Sequence, residues 1–362
     1  MLHNIALTLV KGVGDYNLRT LISYCGNAQN VFEAKAETLK KIPGIGPKTA
    51  EAILLKQTFA RASKEIAFIE KYKIKPLFYT EPDYPKRLHN CEDAPAMLYF
   101  KGNANINNQK IVAIVGTRNA TPYGKAFCEK LICGLKKYNL LVVSGLAYGI
   151  DIAAHKAALN NQVATIGVLG HGLDRIYPAL HRSTAEKMLD CGGLITEFPS
   201  ETNPDRQNFP KRNRIIAGMA DATIVVEAAI TGGALITAQI ANSYNRDVFA
   251  LPGRVDEEFS EGCNYLIKTN RAQLITKIED IEYILGWVQA QLKPKKQQLT
   301  IYPNLNSDEQ KIVNLIADKG SINFDELQLQ LNMPQSKLAM AILNLEMQSI
   351  IIALPGKVYK LN

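Results

Sequence analysis

The chain has 362 residues, of which 47% are hydrophobic and 21% are charged, and its formal net charge is +8. This length and composition describe a globular protein of two or three domains that can bury its cores without disulfides or metals. They exclude a membrane-spanning protein, because the longest charge-free apolar stretch, residues 228–245, carries Gln239, Asn242 and Ser243.

The N-terminus has no basic segment before its short apolar run and no small-residue cleavage site, so we expect a cytoplasmic protein. The six cysteines and five histidines form no CxxC, HxxxH or HxH, which predicts free thiols and no metal site. Neither a GxGxxG nor a GxxxxGK[ST] phosphate loop is present, since Ala126 stands where a magnesium-binding Ser or Thr would be required. We therefore expect no cofactor.

Residues 1–75 are predicted to form a helical domain of the helix-hairpin-helix or SAM-like kind. They carry 12 Lys and Arg against six Asp and Glu, an excess expected of a part that meets a polyanion. Two turns, in residues 10–14 and 42–49, have the Gly-hydrophobic-Gly pattern whose backbone amides can bind a phosphate. Lys48 would add a charge-assisted contact; the alternative is a tight interhelical turn without a ligand.

Residues 76–110 are expected to be a connector, and their four prolines exclude a long helix. From Ile111 onwards, short β-branched runs alternate with helical stretches. The predicted strands are Ile111–Val115, Leu140–Ser144, Val163–Leu169, Gly193–Glu197, Ala222–Val226 and Asp247–Leu251. This pattern predicts an α/β fold, a parallel sheet covered by helices on both faces.

The last part of the chain is predicted to be a separate small domain. Residues 291–304 contain three lysines and no acidic residue, which indicates a flexible basic linker. Residues 305–362 are predicted to form helices Asp308–Lys319, Phe324–Leu331 and Pro334–Gln348, then two strands around Pro355-Gly356. This order indicates a winged helix. The third helix offers only Lys337 as a cation, so we expect protein contact or a structural role rather than major-groove binding.

Ligands of an open parallel sheet bind outside the carboxyl ends of its strands, at helix N-termini. Glycines follow five of the predicted strands, within residues 116–121, 144–151, 170–174, 231–234 and 251–254. Bare backbone amides can approach an anion closely, so five such loops at one rim favour an anion-binding site. Each loop taken alone is also compatible with a structural turn.

The segment Asn208–Arg214 is the richest basic cluster of the central domain and is predicted to open a helix running to Met219. Its cations suit phosphates and Phe209 suits stacking on a base; the alternative is an Arg-capped helix with Phe209 in the core. We find no catalytic set, because Ser144 is not in a GxSxG turn. The acids Asp151, Asp174, Glu197 and Glu227 are expected to cap helices or orient arginines.

Taken in order, these segments resemble the DNA-processing protein A family (DprA, also called Smf). The matching segments are Asp83–Pro85, Ala94–Gly102, Ile111–Arg118, Ser144–Asp151, Gly170–Gly172, Tyr177-Pro178, Phe209–Ile216, Thr231–Ala238, Pro252-Gly253 and Gly262–Ile267. Thr117 stands where the family usually has Ser, and the hydroxyl is kept. The motif at Thr231–Ala238 has one more small residue than the family's motif. This changes the position of Gly233 within the motif, and therefore the contacts expected of it.

The resemblance implies an extended Rossmann-like domain over residues 76–290, between the helical domain and the winged helix. It implies a homodimeric, non-enzymatic protein that binds single-stranded DNA without sequence preference, protects incoming strands in natural transformation and helps to load its partner RecA. Arg118 would hold phosphate beside the amides of Gly116 and Thr117, and Lys211, Arg212 and Arg214 would line the same pocket. The full set of expected DNA-binding residues is Lys48, Gly116, Thr117, Arg118, Ser144, Gly145, Gly170, Gly172, Phe209, Lys211, Arg212, Asn213, Arg214, Gly232 and Gly233.

An enzymatic alternative stays open at this point. Thr231-Gly232-Gly233, after Glu227, resembles a turn of phosphoribohydrolases, which use a nearby acid, although no Gly-Thr pair follows here. This alternative predicts a nucleotide or nucleoside-phosphate hydrolase whose release of free base is lost in Glu227→Gln. A third reading, a scaffold for protein partners, predicts no affinity for DNA at low salt.

Overall fold

The computed structural model describes residues 1–287, 305–354 and 356–362. The chain divides into two compact units, Met1–Val288 and Gln289–Asn362. The predicted linker, residues 291–304, and Pro355 of the predicted hairpin turn lie outside the described residues. None of the helices in the described ranges has the length and hydropathy that a membrane crossing requires.

The N-terminal segment is helical, as predicted. Its helices are α1 (Leu2–Thr8), α2 (Asp15–Cys25), α3 (Ala28–Glu33), α4 (Ala36–Lys40), α5 (Pro47–Leu54) and α6 (Phe59–Lys71). The two glycine turns fold alike: Gly12 and Gly44 have φ of +88° and +81°, in the left-handed region that favours glycine. Gly14 and Gly46 are then the N-caps of α2 and α5.

The two glycine turns also pack on each other's helices. A Cβ at Gly12 would lie 3.2 Å from the hydroxyl of Thr49 in α5, and a Cβ at Gly44 would lie 2.9 Å from the amide oxygen of Asn17 in α2. Each contacted residue lies three positions after the N-cap glycine of its helix. The segment is therefore built from two hairpins in a reciprocal arrangement.

A nine-stranded sheet forms the centre of the first unit. Its strands are β1 (Lys75–Phe78), β2 (Met97–Gly102), β3 (Ile111–Val115), β4 (Leu141–Ser144), β5 (Ala164–Val168), β6 (Gly193–Thr196), β7 (Ala222–Val225), β8 (Asp247–Ala250) and β9 (Gln273–Leu274). They are ordered β1-β2-β6-β5-β4-β3-β7-β8-β9. The strands from β6 to β9 in this order are parallel, and β2 joins β6 and β1 antiparallel. All six predicted strands are confirmed.

Helices cover both faces of the sheet. They are α7 (Pro122–Leu135), α8 (Ile150–Asn160), α9 (Arg182–Cys191), α10 (Asn208–Met219), α11 (Gly233–Ser243), α12 (Glu258–Lys268) and α13 (Ile278–Ile284). Val112 and Ile114 of β3 pack with α7, α8 and α13, whereas Ile111, Ala113 and Val115 pack with α10, α11 and α12. Burial on alternate faces explains why the strands are apolar throughout.

The predicted connector, residues 76–110, contains no long helix, as expected, but it contains most of β1 and all of β2, which were not predicted. Pro76 is tolerated because β1 is an edge strand, where a missing N–H costs no interior ladder bond. Phe78, Met97 and Tyr99 continue the core of the N-terminal helices. The helical segment thus packs on one end of the sheet.

The order of the strands reverses at β3, which lies between β4 and β7. The chain runs from β3 outward to β6, and then returns to place β7 on the other side of β3. In open α/β sheets, ligands bind at such a reversal, outside the carboxyl ends of the strands. The loops that follow β3 and β7 are therefore the first place to examine for a site.

The second unit contains α14 (Ser307–Lys319), β10 (Ser321–Asn323), α15 (Phe324–Leu331), α16 (Gln335–Met347), β11 (Ile351–Leu354) and β12 (Val358–Leu361). The strands form an antiparallel sheet ordered β10-β12-β11. Leu338, Ile342 and Leu345 of α16 are buried, as predicted. β10 is an addition to the predicted elements, and the winged-helix assignment stays a prediction.

Candidate functional site

A cavity of about 650 Å³ opens at the strand-order reversal. Its walls come from the loops after β3, β4 and β7 and from the start of α10. We call this cavity the rim pocket, and its lining includes Gly116, Thr117, Arg118, Asp151, Tyr177, Arg206, Phe209, Arg212, Asn213, Gly232 and Gly233. Three of the five glycine loops that the sequence places at this rim thus meet in one cavity.

The expected DNA-binding residues divide into two groups by position. The rim pocket brings together Gly116, Thr117, Arg118, Phe209, Arg212, Asn213, Gly232 and Gly233. It is not lined by Lys48, Ser144, Gly145, Gly170, Gly172, Lys211 or Arg214. The residues of the second group lie at different places around the pocket and elsewhere in the unit.

Arg118 and Arg206 are the cations of the rim pocket whose charge faces solvent. Both are exposed, and among the described residues neither guanidinium has a carboxylate within 4.0 Å. They can therefore meet an anion without first breaking an ion pair. The sequence analysis missed Arg206, which lies in the loop before α10, three residues before Phe209. Extending the basic cluster upstream would have found it.

Phe209 lines the pocket wall and is half-buried rather than part of the core. Its ring centroid lies 6.0 Å from that of Tyr177, at an interplanar angle of 34°. The guanidinium carbon of Arg118 lies 5.8 Å from the Phe209 centroid, within reach of a cation–π contact. Gly170 lies behind this ring, where a Cβ would be 3.1 Å from it. The wall thus combines aromatic faces with a positive charge.

The N-terminus of α11 forms the opposite wall. Gly232 is its N-cap and Gly233 its first residue, and no atom lies within 4 Å of where a Gly233 Cβ would be. The first amides of a helix lack partners within the helix and carry its positive dipole end. The expectation that Thr117 also offers an amide is wrong, because its N–H donates to the Glu227 carbonyl over 2.6 Å.

Arg212 reaches the floor of the pocket but is only 4% exposed. Its Nη1 donates to the carbonyl of Gly145 over 2.5 Å and also to the carbonyl of Val168. A Cβ at Gly145 would lie 2.5 Å from both Arg212 and the Asp151 carboxylate, so the two charged groups share one buried site. Burial lowers the pKa of Arg212 to about 10, while Asp151 opposes the shift. Arg212 therefore lines the pocket, as expected, but its guanidinium already donates to two backbone carbonyls.

Lys211 and Arg214 lie on the other side of α10, which corrects the expectation that they line the pocket. Arg214 pairs with Glu197, reaches Asp15 of α2 at 3.3 Å and donates to the carbonyl of Asp93. Burial raises the pKa of Glu197 to about 7, and Arg214 opposes the shift. Arg214 therefore joins the helical segment to the sheet, and Lys211 is exposed outside the pocket.

Ser144, Gly172 and Lys48 also lie elsewhere. The Ser144 hydroxyl is fully buried and donates to the carbonyl of Ile114 over 2.6 Å. The amide of Gly172 donates to the carbonyl of Thr202 over 3.2 Å, so it is not available to a ligand. Lys48 is exposed in the first turn of α5, and its phosphate contact stays a prediction.

Glu227 and His155 hold structural positions, which for Glu227 agrees with the expectation that it caps a helix. The Glu227 carboxylate accepts from the amide and hydroxyl of Thr121, the N-cap of α7, and it does not line the rim pocket. His155 is buried with Nδ1 2.7 Å from the Thr165 hydroxyl, and burial lowers its pKa to about 3. Within the described part of the chain, no His, Cys, Asp and Glu side chains cluster as metal ligands would.

The chain is similar in sequence to known proteins over most of its length. The family model of DNA recombination-mediator protein A matches residues 75–285, and the helix-hairpin-helix motif matches residues 28–56. The protein Smf of Synechocystis sp. is 38% identical over 289 residues, which cover 78% of this chain and 72% of that protein. The DNA processing protein DprA of Streptococcus pneumoniae is 41% identical over 198 residues, covering 55% of this chain and 70% of that protein.

Two solved structures are also similar. The X-ray structure of DNA processing protein A from Streptococcus pneumoniae has a TM-score of 0.69 and 32% identity, and the match covers 78% of this chain and 97% of that one. DNA processing protein A from Helicobacter pylori, whose structure describes its single-stranded DNA binding mode, has a TM-score of 0.54 and 30% identity. That match covers 60% of this chain and 97% of the other.

Proposed function

Because this chain belongs to the DNA recombination-mediator protein A family, we propose that it binds single-stranded DNA without sequence preference and acts as a recombination mediator. The observation that carries the proposal is the composition of the rim pocket. It joins the unpaired cations Arg118 and Arg206 to the aromatic faces of Phe209 and Tyr177. Cations for phosphates and aromatic faces for bases are the elements by which proteins bind single strands of any sequence.

In the proposed mechanism, each wall of the rim pocket contacts a different part of a nucleotide. Arg118 and Arg206 neutralise backbone phosphates, and the N-terminus of α11 at Gly233 donates amides to a phosphate oxygen. A base stacks on Phe209, whose ring is held by Gly170 behind it. Because the contacts proposed here go to phosphates and to the face of a base, we expect the affinity to be independent of sequence. The chain acts by binding and needs no catalytic residue or cofactor.

At the level of the cell, we propose that the protein works in the cytoplasm, protects incoming single strands in natural transformation and helps to load RecA on them. A homodimer would place two rim pockets on one strand, which raises avidity without a new contact. Membership of the family supports these roles, and two exposed isoleucines, Ile236 in the lining of the rim pocket and Ile230 near it, each 40% exposed, support an apolar contact with a second copy. Sedimentation equilibrium tests the dimer, and nuclease protection and RecA filament assembly on the bound strand test the other two roles.

The direct test of the binding mode is anisotropy titration of labelled oligonucleotides with wild type and with Phe209→Leu. We expect wild type to bind poly(dT) and mixed-sequence single strands with similar affinity, and matched duplex more weakly. Phe209→Leu should cost about 1–3 kcal/mol for every single strand, because stacking is lost for each base alike. Equal affinity of the variant and wild type would contradict the stacking role, and stronger duplex binding would contradict the proposed function.

A further inference from the structure

A second cavity adjoins the rim pocket on the far side of Arg118. Its volume is about 560 Å³, and it lies between α7 and α8. We call it the α7–α8 groove, defined by Arg118, Asn119, Lys125, Tyr148 and Lys156. Arg118 lines both cavities, so a ligand that contacts its guanidinium in the rim pocket has a direct continuation into the groove.

The groove is positively charged. Lys125 on α7 and Lys156 on α8 are exposed, and among the described residues neither ammonium has a carboxylate within ion-pair distance. Elsewhere in this unit, Lys137 is paired with Glu282 at 2.6 Å. The acid of the groove, Glu129, accepts from the amide of Asn161 over 2.8 Å. Two lysines and Arg118 against one carboxylate leave an excess of positive charge that suits phosphates.

The groove also presents an aromatic face that is fixed in place. Tyr148 is 43% exposed, and its ring lies edge-on to His181, with centroids 5.0 Å apart and planes at 69°. His181 is itself held, since its Nδ1 lies 2.8 Å from the carbonyl of Leu146. Half of the Tyr148 ring therefore has a rigid support, and the other half is open to a ligand.

The loop that carries Tyr148 is locked to the loop that carries Arg118. Gly149 has φ of +77°, and a Cβ there would overlap the carbonyl oxygen of Thr117. The amide of Ile150 donates to that same oxygen over 3.1 Å. Close packing of the two loops sets the aromatic face beside the guanidinium. Cations can bind the phosphates of a single strand, and an aromatic ring beside them can stack on one of its unpaired bases.

We propose that the α7–α8 groove is a second nucleotide-binding site, through which a single strand bound in the rim pocket continues past Arg118. Lys125 and Lys156 contact successive backbone phosphates, and a base stacks on Tyr148. The inference rests on the proposed function, because the groove extends that site. Duplex DNA fits less well, since its bases are already stacked and cannot use the ring.

The test compares a short and a long oligonucleotide on the full chain. Labelled oligo(dT) of about four nucleotides fills the rim pocket alone, and one of about 16 nucleotides also reaches the groove. Anisotropy titrations over a range of salt are run on wild type and on the groove pair Lys125→Ala/Lys156→Ala. The control pair, Lys130→Ala/Lys187→Ala, removes the same charge from exposed positions outside both cavities. Arg118→Ala and Tyr148→Ala complete the set.

The groove pair should bind the long oligonucleotide about ten-fold more weakly than the control pair, and its salt slope should fall by about 1.4, which is about 0.7 for each phosphate contact. Both pairs should bind the short oligonucleotide as wild type does. Tyr148→Ala should also lose about ten-fold for the long oligonucleotide only. If the groove pair and the control pair have the same affinity and slope for the long oligonucleotide, the groove is not a binding site.

The two proposals fail in different ways. If Arg118→Ala weakens binding of both oligonucleotides while the groove pair matches its control, the rim pocket stands and the groove is rejected. If wild type binds neither oligonucleotide, the proposed function is rejected. If Arg118→Ala binds both as wild type does, the rim pocket is rejected as the binding site, and the groove that extends it is rejected with it. Circular dichroism melting of each variant confirms that the comparison is made between folded proteins.

Discussion

Replacing Arg212 by Met should destabilise the first unit severely, although this arginine lies in the most basic segment of the sequence. Its guanidinium is 4% exposed, donates to the carbonyls of Gly145 and Val168, and faces the 7% exposed Asp151. Removing this guanidinium leaves two buried carbonyls without their donor and the nearby buried Asp151 without an opposite charge, and the expected cost is about 3–5 kcal/mol. The exposed Arg182, replaced by Met, should change stability by less than about 0.5 kcal/mol.

Urea unfolding followed by tryptophan fluorescence measures this cost in the right part of the chain. Trp287 is the single tryptophan and lies in the core beside α7 and α13, so its emission reports the first unit. A double-mutant cycle with Asp151→Asn should show a coupling of about 1–3 kcal/mol, because removing both charges leaves neither unpaired. A variant Arg212→Met that unfolds like wild type but loses DNA affinity would refute this reasoning and make Arg212 a ligand.

Three further predictions follow from particular contacts. The pKa of His155 lies at about 3 in the folded chain and at 6.5 in the unfolded chain. The stability that the neutral, buried imidazole gives the fold is therefore fully present above pH 6.5. Below that pH the free energy of unfolding falls by about 1.4 kcal/mol per pH unit. In His155→Gln the urea midpoint should depend less on pH between pH 6.5 and 4.5 than it does in wild type. The same pH dependence in both proteins would contradict the burial of a neutral imidazole. Gly149→Ala should lower the free energy of unfolding by about 1–3 kcal/mol, because the φ of +77° and the Thr117 carbonyl leave no room for a Cβ. A wild-type free energy of unfolding would mean that the two loops can separate. Lys48→Ala should reduce the salt slope of binding to the long oligonucleotide by about 0.7 without moving the midpoint, and an unchanged slope would make the hairpin turn purely structural.

The sheet was accessible from the sequence because each parallel strand is buried on both faces, which makes its apolar run continuous. β1 and β2 were not predicted, because the prolines in residues 76–110 interrupt the apolar pattern of these two strands, which pair antiparallel at the edge of the sheet. The rim loops were found through their glycines. Which loops meet in one cavity depends on the strand order, and local patterns carry no information about it.

The division of the α10 cations could have been predicted in part. Phe209, Arg212 and Asn213 are spaced as one helical face, whereas Lys211 and Arg214 share another. The burial of Arg212 could not be predicted, because the neighbouring acid Asp151 lies in the first turn of a different helix, α8, 61 positions away in the chain. An arginine at the surface can bind a ligand, whereas a buried arginine holds the structure together. The residue type alone does not distinguish these two roles.

The most direct test of the central claim is the salt dependence of binding of labelled poly(dT) to wild type, Arg118→Ala and the matched control Arg182→Ala. Arg118 makes no ion pair within the described ranges and its side chain faces both cavities. We predict that Arg118→Ala weakens binding at every salt concentration and lowers the slope by about 0.7 per lost phosphate contact, with an unchanged melting temperature. Arg182→Ala should match wild type, and a nucleoside monophosphate should compete poorly. An unchanged slope in Arg118→Ala, or displacement of the strand by monophosphate alone, would contradict a single-stranded DNA site in the rim pocket.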